Sequence, residues 1–471
     1  MLTTVMTKYG ALQGVTSEGG YALFKGVPYA APPVGELRWK PSIDPQPWEG
    51  VRVCDTWGAA CPQETPHTDA SAGYGKEFYA GPDYPPLLDE DCLYLNIWTP
   101  AETGDEKLPV MMWMHGGGVQ SGYSHEIEFD GDALCKRGVI LVTINYRLNI
   151  FGYFAHPELS AESAYGASGN YGVHDQLQAL RWIHDNIAAF GGDPDNVTIF
   201  GQSGGGRSTQ ALSCSPLAKG LVRRAIVQSA GGVTTAFGRM PREQMEARGV
   251  DFMAFTGCKN IAELRALPAT ELLAKFGDYG RAAGDFKERM ARGFNISTDG
   301  HALPLSMEDT LLEGKQLDLD YMLGSVTLDD GMGNMMASLR GWATLQDRHG
   351  LKAPFLYRFT RELPEDDPND KRVLKGAFHS SELWYIFGTL DRCWRPMNEM
   401  DQELSELMSD YWTNFAKTGD PNGNDKDGTA MPKWEPYTKM DPCQINFKDE
   451  ITVDHGPVDP KTKCLIRLNL D

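Results

Sequence analysis

Val197-Thr-Ile-Phe-Gly-Gln-Ser-Gly-Gly-Gly-Arg-Ser208 is a short β-branched run that strikes glycine, lifts a serine between glycines and passes into a helical pattern. Strand, Gly-x-Ser-x-Gly and helix in that order are what a nucleophile elbow requires: the serine sits on a strained turn, and the flanking glycines let neighbouring backbone approach without a Cβ clash. With 51 glycines in the chain, the five-residue pattern arises by chance in about one such chain in three. The flanking strand and helix give it weight. A rival reading, a phosphate-binding loop from Gly201 to Ser208, needs a lysine where Arg207 stands, and so loses its phosphate ligand.

Outward from the elbow, short apolar runs alternate with turns and helical patterns, the signature of α/β architecture. Leu108 to Met114 reads as a buried strand entering His115-Gly-Gly-Gly118, and Val139 to Tyr146 as the next. Residues 173 to 189 read as a helix, with Val173, Leu177, Leu180 and Ile187 at helix spacing. Arg224 to Gln228, Tyr321 to Leu328 and Phe355 to Phe359 read as further strands, and residues 404 to 415 as a helix docked on the core. Residues 62 to 88 and 361 to 376 read as surface excursions. Length alone, 471 residues, suggests roughly three domains. The chemistry draws on residues from 115 to 379, however, which predicts one domain over 1–471.

A serine hydroxyl needs a base, and the base an acid that holds its tautomer. Four histidines follow Ser203: His301, His349, His379 and His455. His379, in a turn between a strand and an apparent helix, is the candidate base; His349 in Asp-Arg-His-Gly reads as a helix-end residue. The acid is expected at the carboxyl end of a strand, where Asp329-Asp330-Gly331 offers two carboxylates. The glycines after His115 suit an oxyanion hole, because side chains would obstruct the amide donors; Gly117, Gly118 and Gly204 are the expected donors. This chemistry needs no metal and no organic cofactor.

Lys and Arg number 44 against 64 Asp and Glu, a balance of 44 − 64 = −20 that repels nucleic acid and anionic lipid. No apolar run approaches the roughly 20 residues that span a bilayer, so neither nucleic acid nor membrane is an expected partner. The first fifteen residues lack the apolar core of a leader, which predicts a cytoplasmic protein, or a secreted one whose leader has been removed. Nine scattered cysteines form neither a disulfide scaffold nor a zinc motif. Oligomeric state leaves no trace in the sequence.

Longer matches sharpen this reading. Phe24-Lys-Gly-Val-Pro-Tyr-Ala, Glu90-Asp-Cys-Leu-Tyr-Leu-Asn-Ile-Trp-Thr-Pro100, Phe190 through Gly205, Gly376-Ala-Phe-His379 and Phe415-Ala-Lys-Thr-Gly-Asp-Pro-Asn422 resemble, in order, the type-B carboxylesterases, the carboxylesterase/cholinesterase family. The resemblance covers nearly the whole chain and is weakest from about 233 to 320. It implies an α/β-hydrolase fold, a mostly parallel central sheet with helices on both faces, and a serine hydrolase acting through an acyl-enzyme on small to medium neutral esters. The alternative, a non-catalytic cholinesterase-like binding or adhesion protein, fits poorly with an intact Ser203 and His379.

Carried over by position, the resemblance implies Ser203 as nucleophile, His379 as base and Asp330, before Gly331, as acid, with Asp329 a substitute. Ser229 matches a family serine near the triad, which implies a hydrogen bond to it; a plain strand-end serine is the other reading. Gln202 stands where a glutamate is usual, removing a charge that would favour imidazolium. Cys61 and Cys92 match the family's N-terminal disulfide, which if formed across 92 − 61 = 31 positions implies about 3–4 kcal/mol of chain-entropy stabilisation; a cytoplasmic location would leave it reduced. Acid and base stand only 379 − 330 = 49 positions apart, which implies a wider entrance or an absent segment.

Overall fold

Along Leu108–Met114 successive side chains point to opposite faces, and the core divides accordingly. Val110, Met112 and Met114 enter one apolar cluster, Met111 and Trp113 the other. The computed structural model describes residues 1–64, 71–79, 85–234, 239–332, 334–425 and 428–458, with 460, 463, 464 and 467. A three-stranded sheet joins β1 (Thr4–Met6), β2 (Ala11–Gln13) and β5 (Val51–Val53). The large sheet has eleven strands: β3 (Val15–Thr16), β4 (Ala22–Pro28), β6 (Tyr94–Thr99), β7 (Leu108–Met114), β8 (Ile140–Ile144), β9 (Gly192–Gln202), β10 (Arg224–Gln228), β11 (Asp320–Val326), β12 (Phe355–Phe359), β13 (Gln444–Phe447) and β14 (Thr452–Asp454).

Their spatial order is β14-β13-β12-β11-β10-β9-β7-β8-β6-β4-β3. Pairing is parallel from β8 to β13 and antiparallel at both margins. Burial on both faces explains why β7, β8 and β10 read as continuous apolar runs without alternation. One face is covered by the helix Tyr171–Asn186, which buries Val173, Leu177, Leu180 and Ile183. The other is covered by the helix Glu399–Thr418, through Leu404, Met408, Trp412 and Phe415. Asn398 caps the latter by accepting from the Met400 and Asp401 amides, and Asp401 accepts from the Asn398 amide in return, an arrangement worth about 1 kcal/mol.

Element boundaries depart from the sequence reading in two informative places. The strand before the elbow begins at Gly192, well ahead of Val197, because its early residues lie partly exposed and carry no apolar signal. At the other site-bearing strand, β11 ends at Val326 and a 3-10 turn, Thr327–Met332, takes over. The excursion at 62–88 is more than surface: its helix Gly73–Phe78 carries Glu77, whose buried carboxylate meets Arg395 at 2.9 Å and accepts from the Trp384 and Trp394 indoles. Residues 233 to 320 hold a run of helices from Arg242 to Leu312. Among the described residues no helix is long and apolar enough to cross a membrane.

Candidate active site

Ser203 occupies the N-cap of the helix Gly204–Cys214 with φ 56° and ψ −118°, a backbone conformation that strains any side-chain-bearing residue. Its amide is tied to the Gln228 carbonyl of β10 at 2.9 Å. Two glycines make the turn feasible. A Cβ on Gly201 would collide with the Gly205 backbone, and one on Gly205 with the Met114 and His115 carbonyls at the end of β7. The sharp turn therefore presents the serine at the carboxyl edge of the sheet.

The loop after β7 lies against the start of the same helix: a Cβ on Gly204 would stand 2.7 Å from the Gly118 nitrogen. Gly117 and Gly118 both take positive φ, 89° and 64°, which glycine adopts without steric cost. Among the described residues, the amides of Gly117, Gly118 and Gly204 donate to no backbone carbonyl. The loop is held from outside. Tyr146 donates to the His115 carbonyl at 2.8 Å and stacks on its ring, Asn149 donates to the Val119 carbonyl at 2.8 Å, and Gln120 donates to the Phe294 carbonyl at 2.8 Å. Burial pushes the His115 imidazole down to about 4, so it is neutral and structural.

His379 follows Phe378 in the loop after β12. Its Nδ1 donates to Asp329 Oδ1 at 2.6 Å, and the other carboxylate oxygen of Asp329 accepts the Val326 amide at 3.1 Å. Desolvation pulls the imidazole pKa down, and the hydrogen bond and charge of Asp329, with a smaller contribution from Glu382, outweigh it so that the net direction is up. Tyr74 donates to the His379 carbonyl at 3.2 Å. On the opposite edge of the ring, Gln202 Nε2 lies 3.3 Å from His379 Nε2.

Comparison with known proteins gives the chain a family. A profile of the carboxylesterase family matches residues 2–341 and 328–464, and para-nitrobenzyl esterase of Bacillus subtilis (strain 168) is 34% identical over 517 aligned residues, covering 98% of each chain. The chain belongs to the carboxylesterase family. It is also similar to the fumonisin B1 esterase of Sphingopyxis macrogoltabida, 41% identical over 266 residues covering 56% of this chain and 45% of that one. Among solved structures, a PNB esterase superposes with a TM-score of 0.84 at 28% identity, covering both chains fully. The α/β-hydrolase fold and esterase activity expected from the sequence accordingly hold for this carboxylesterase.

Three expectations about its site residues need revision. The carboxylate on His379 is Asp329, where Asp330 was expected; the Asp330 side chain lies outside the described residues. With β11 ending at Val326 rather than Leu328, the 3-10 turn, which repeats every three residues, brings position 329 back beneath the strand end and leaves Leu328 52% exposed. Ser229 Oγ meets Glu382 Oε1 at 3.5 Å and not a triad member. Cys61 and Cys92 are buried free thiols, and the other seven cysteines are free as well. Burial and the Cys61 contact push the Cys92 thiol well up, which suppresses the thiolate that oxidation requires.

Glu382 escaped the sequence reading. It is fully buried three positions after His379, and burial, then the charge of Asp329, push its carboxyl up to about 7. Its only signal was an acid in the same turn as the base. Among the described residues no group of three or more His, Cys, Asp or Glu is placed to hold a metal ion.

Proposed function

We propose that this esterase hydrolyses small to medium neutral carboxylic esters through Ser203, His379 and Asp329. Ser203 Oγ attacks the ester carbonyl while His379 Nε2 takes its proton; Asp329 holds the Nδ1 tautomer and stabilises the imidazolium. The amides of Gly117, Gly118 and Gly204 receive the oxyanion. His379 then protonates the departing alcohol, and water, deprotonated by the same nitrogen, releases the acid from the acyl-enzyme.

The observation that carries these assignments is the 2.6 Å contact between Asp329 and His379 beside a serine on a strained elbow. A net charge of −20 favours neutral or cationic esters over polyanionic ones. Nine thiols fit a reducing compartment, in line with a cytoplasmic location. One sheet running from β3 to β14 supports a single catalytic unit. A panel of nitrophenyl esters of increasing acyl length tests the reading. Short and medium chains should give a burst that disappears in Ser203→Ala, and turnover that survives this substitution would refute it.

A further inference from the structure

The two ends of the catalytic imidazole are occupied differently from what proton transfer requires. Asp329 on Nδ1 fixes the neutral tautomer, which leaves the only lone pair of the ring on Nε2. The donor that faces this lone pair is the Gln202 amide at 3.3 Å, and among the described residues Ser203 Oγ makes no hydrogen bond to His379. Gln202 is 2% exposed and immediately precedes the nucleophile, so its amide and the serine hydroxyl compete for one acceptor. The glutamate usual at this position in the family has no hydrogen to donate when ionised; the amide is a property of this chain.

We infer that Gln202 is a positioning residue that holds His379 in a resting state, and that productive ester binding exchanges the Gln202 N–H for the Ser203 O–H at Nε2. This rests on the proposed triad. The contact is long and both partners are neutral, so it is worth about as much as an ordinary weak hydrogen bond, or roughly a two- to tenfold bias in favour of the resting arrangement. The same bond stabilises unprotonated imidazole, so it holds the apparent pKa of the free enzyme down. The other titratable groups facing His379 are Asp329 and Glu382, with the Tyr74 hydroxyl on its carbonyl. All three remain in place when position 202 is changed.

The test uses a reagent that reports directly on how readily Ser203 is activated, without an ester substrate. Phenylmethanesulfonyl fluoride sulfonylates the serine: the Oγ–S bond forms, S–F breaks, fluoride leaves and His379 takes the proton. Gln202→Met keeps the volume and removes the donor. It should sulfonylate about two- to tenfold faster than the parent, with the midpoint of the acid limb of the pH–rate profile moved up. Gln202→Glu should move that midpoint further up, since a carboxylate favours imidazolium. A midpoint in Gln202→Met that stays in place or falls, or a rate that does not rise, overturns the inference. Labelling of Ser203→Ala under the same conditions would instead defeat the triad assignment, which keeps the two failures distinct.

Discussion

Replacing Glu382 by glutamine separates the stability of this site from that of the rest of the molecule. The carboxyl is fully buried and has its pKa moved from 4.5 to about 7, by burial first and by the Asp329 charge second. An acid raised in the folded state keeps its proton there while the unfolded chain releases its own. Between pH 4.5 and about 7 the native protein therefore binds more protons, and stability falls as pH rises through that window. At about 1.4 kcal/mol per pH unit the full loss is about 3 kcal/mol, of which about 2.5 kcal/mol falls between pH 5 and pH 8. Glutamine cannot ionise and should remove this loss. Among the described residues Glu382 Oε2 has no hydrogen-bond partner, so an amide NH₂ placed there would cost about 1–3 kcal/mol. That cost is independent of pH. Urea unfolding of both proteins at pH 5 and pH 8 isolates most of the titration, because groups that Glu382 does not touch cancel in the difference; His379, whose pKa Glu382 helps to raise, leaves a smaller contribution. The variant should gain about 2.5 kcal/mol on the parent across that interval. Two proteins losing stability in parallel would refute the reasoning.

Other substitutions probe the scaffold. Gly205→Ala puts a methyl group against the Met114 and His115 carbonyls and should destabilise by about 3 kcal/mol, read as a lower urea midpoint. Glu77→Gln leaves the Arg395 guanidinium buried without its counter-charge; a loss of about 3–5 kcal/mol is expected, with proteolytic nicking concentrated near residues 71–79. Alkylation after unfolding without reductant should label nine cysteines, whereas seven would mean that a disulfide had formed.

The elbow was readable because its requirements are local. Gly201 and Gly205 are demanded by contacts within one turn and with one neighbouring strand, and a pentapeptide records them. The parallel sheet was readable for the same reason, since strands buried on both faces leave unbroken apolar runs. Asp329 was not readable to the residue. Choosing between adjacent aspartates requires the position at which β11 becomes a 3-10 turn, a shift of two residues that hydrophobic pattern does not resolve. Glu382 and Glu77 were hidden more deeply. A buried acid is identified by its partners, Ser229 for one and Arg395 for the other, and these lie more than a hundred positions away in the sequence. The Gln202 contact with His379 likewise depends on the fold bringing together residues 379 − 202 = 177 positions apart.

Asp329 is the residue on which structure and sequence pattern part, so a paired substitution there bears most directly on the whole account. The measurement is kcat/KM for a short-chain nitrophenyl ester in Asp329→Asn and, separately, in Asp330→Asn. Asp329→Asn should turn the tautomer of His379 and lower kcat/KM by roughly 10⁴-fold, the scale of such a change in a serine triad, while Asp330→Asn should stay within a few-fold of the parent. A collapse in Asp330→Asn with Asp329→Asn still active would contradict it.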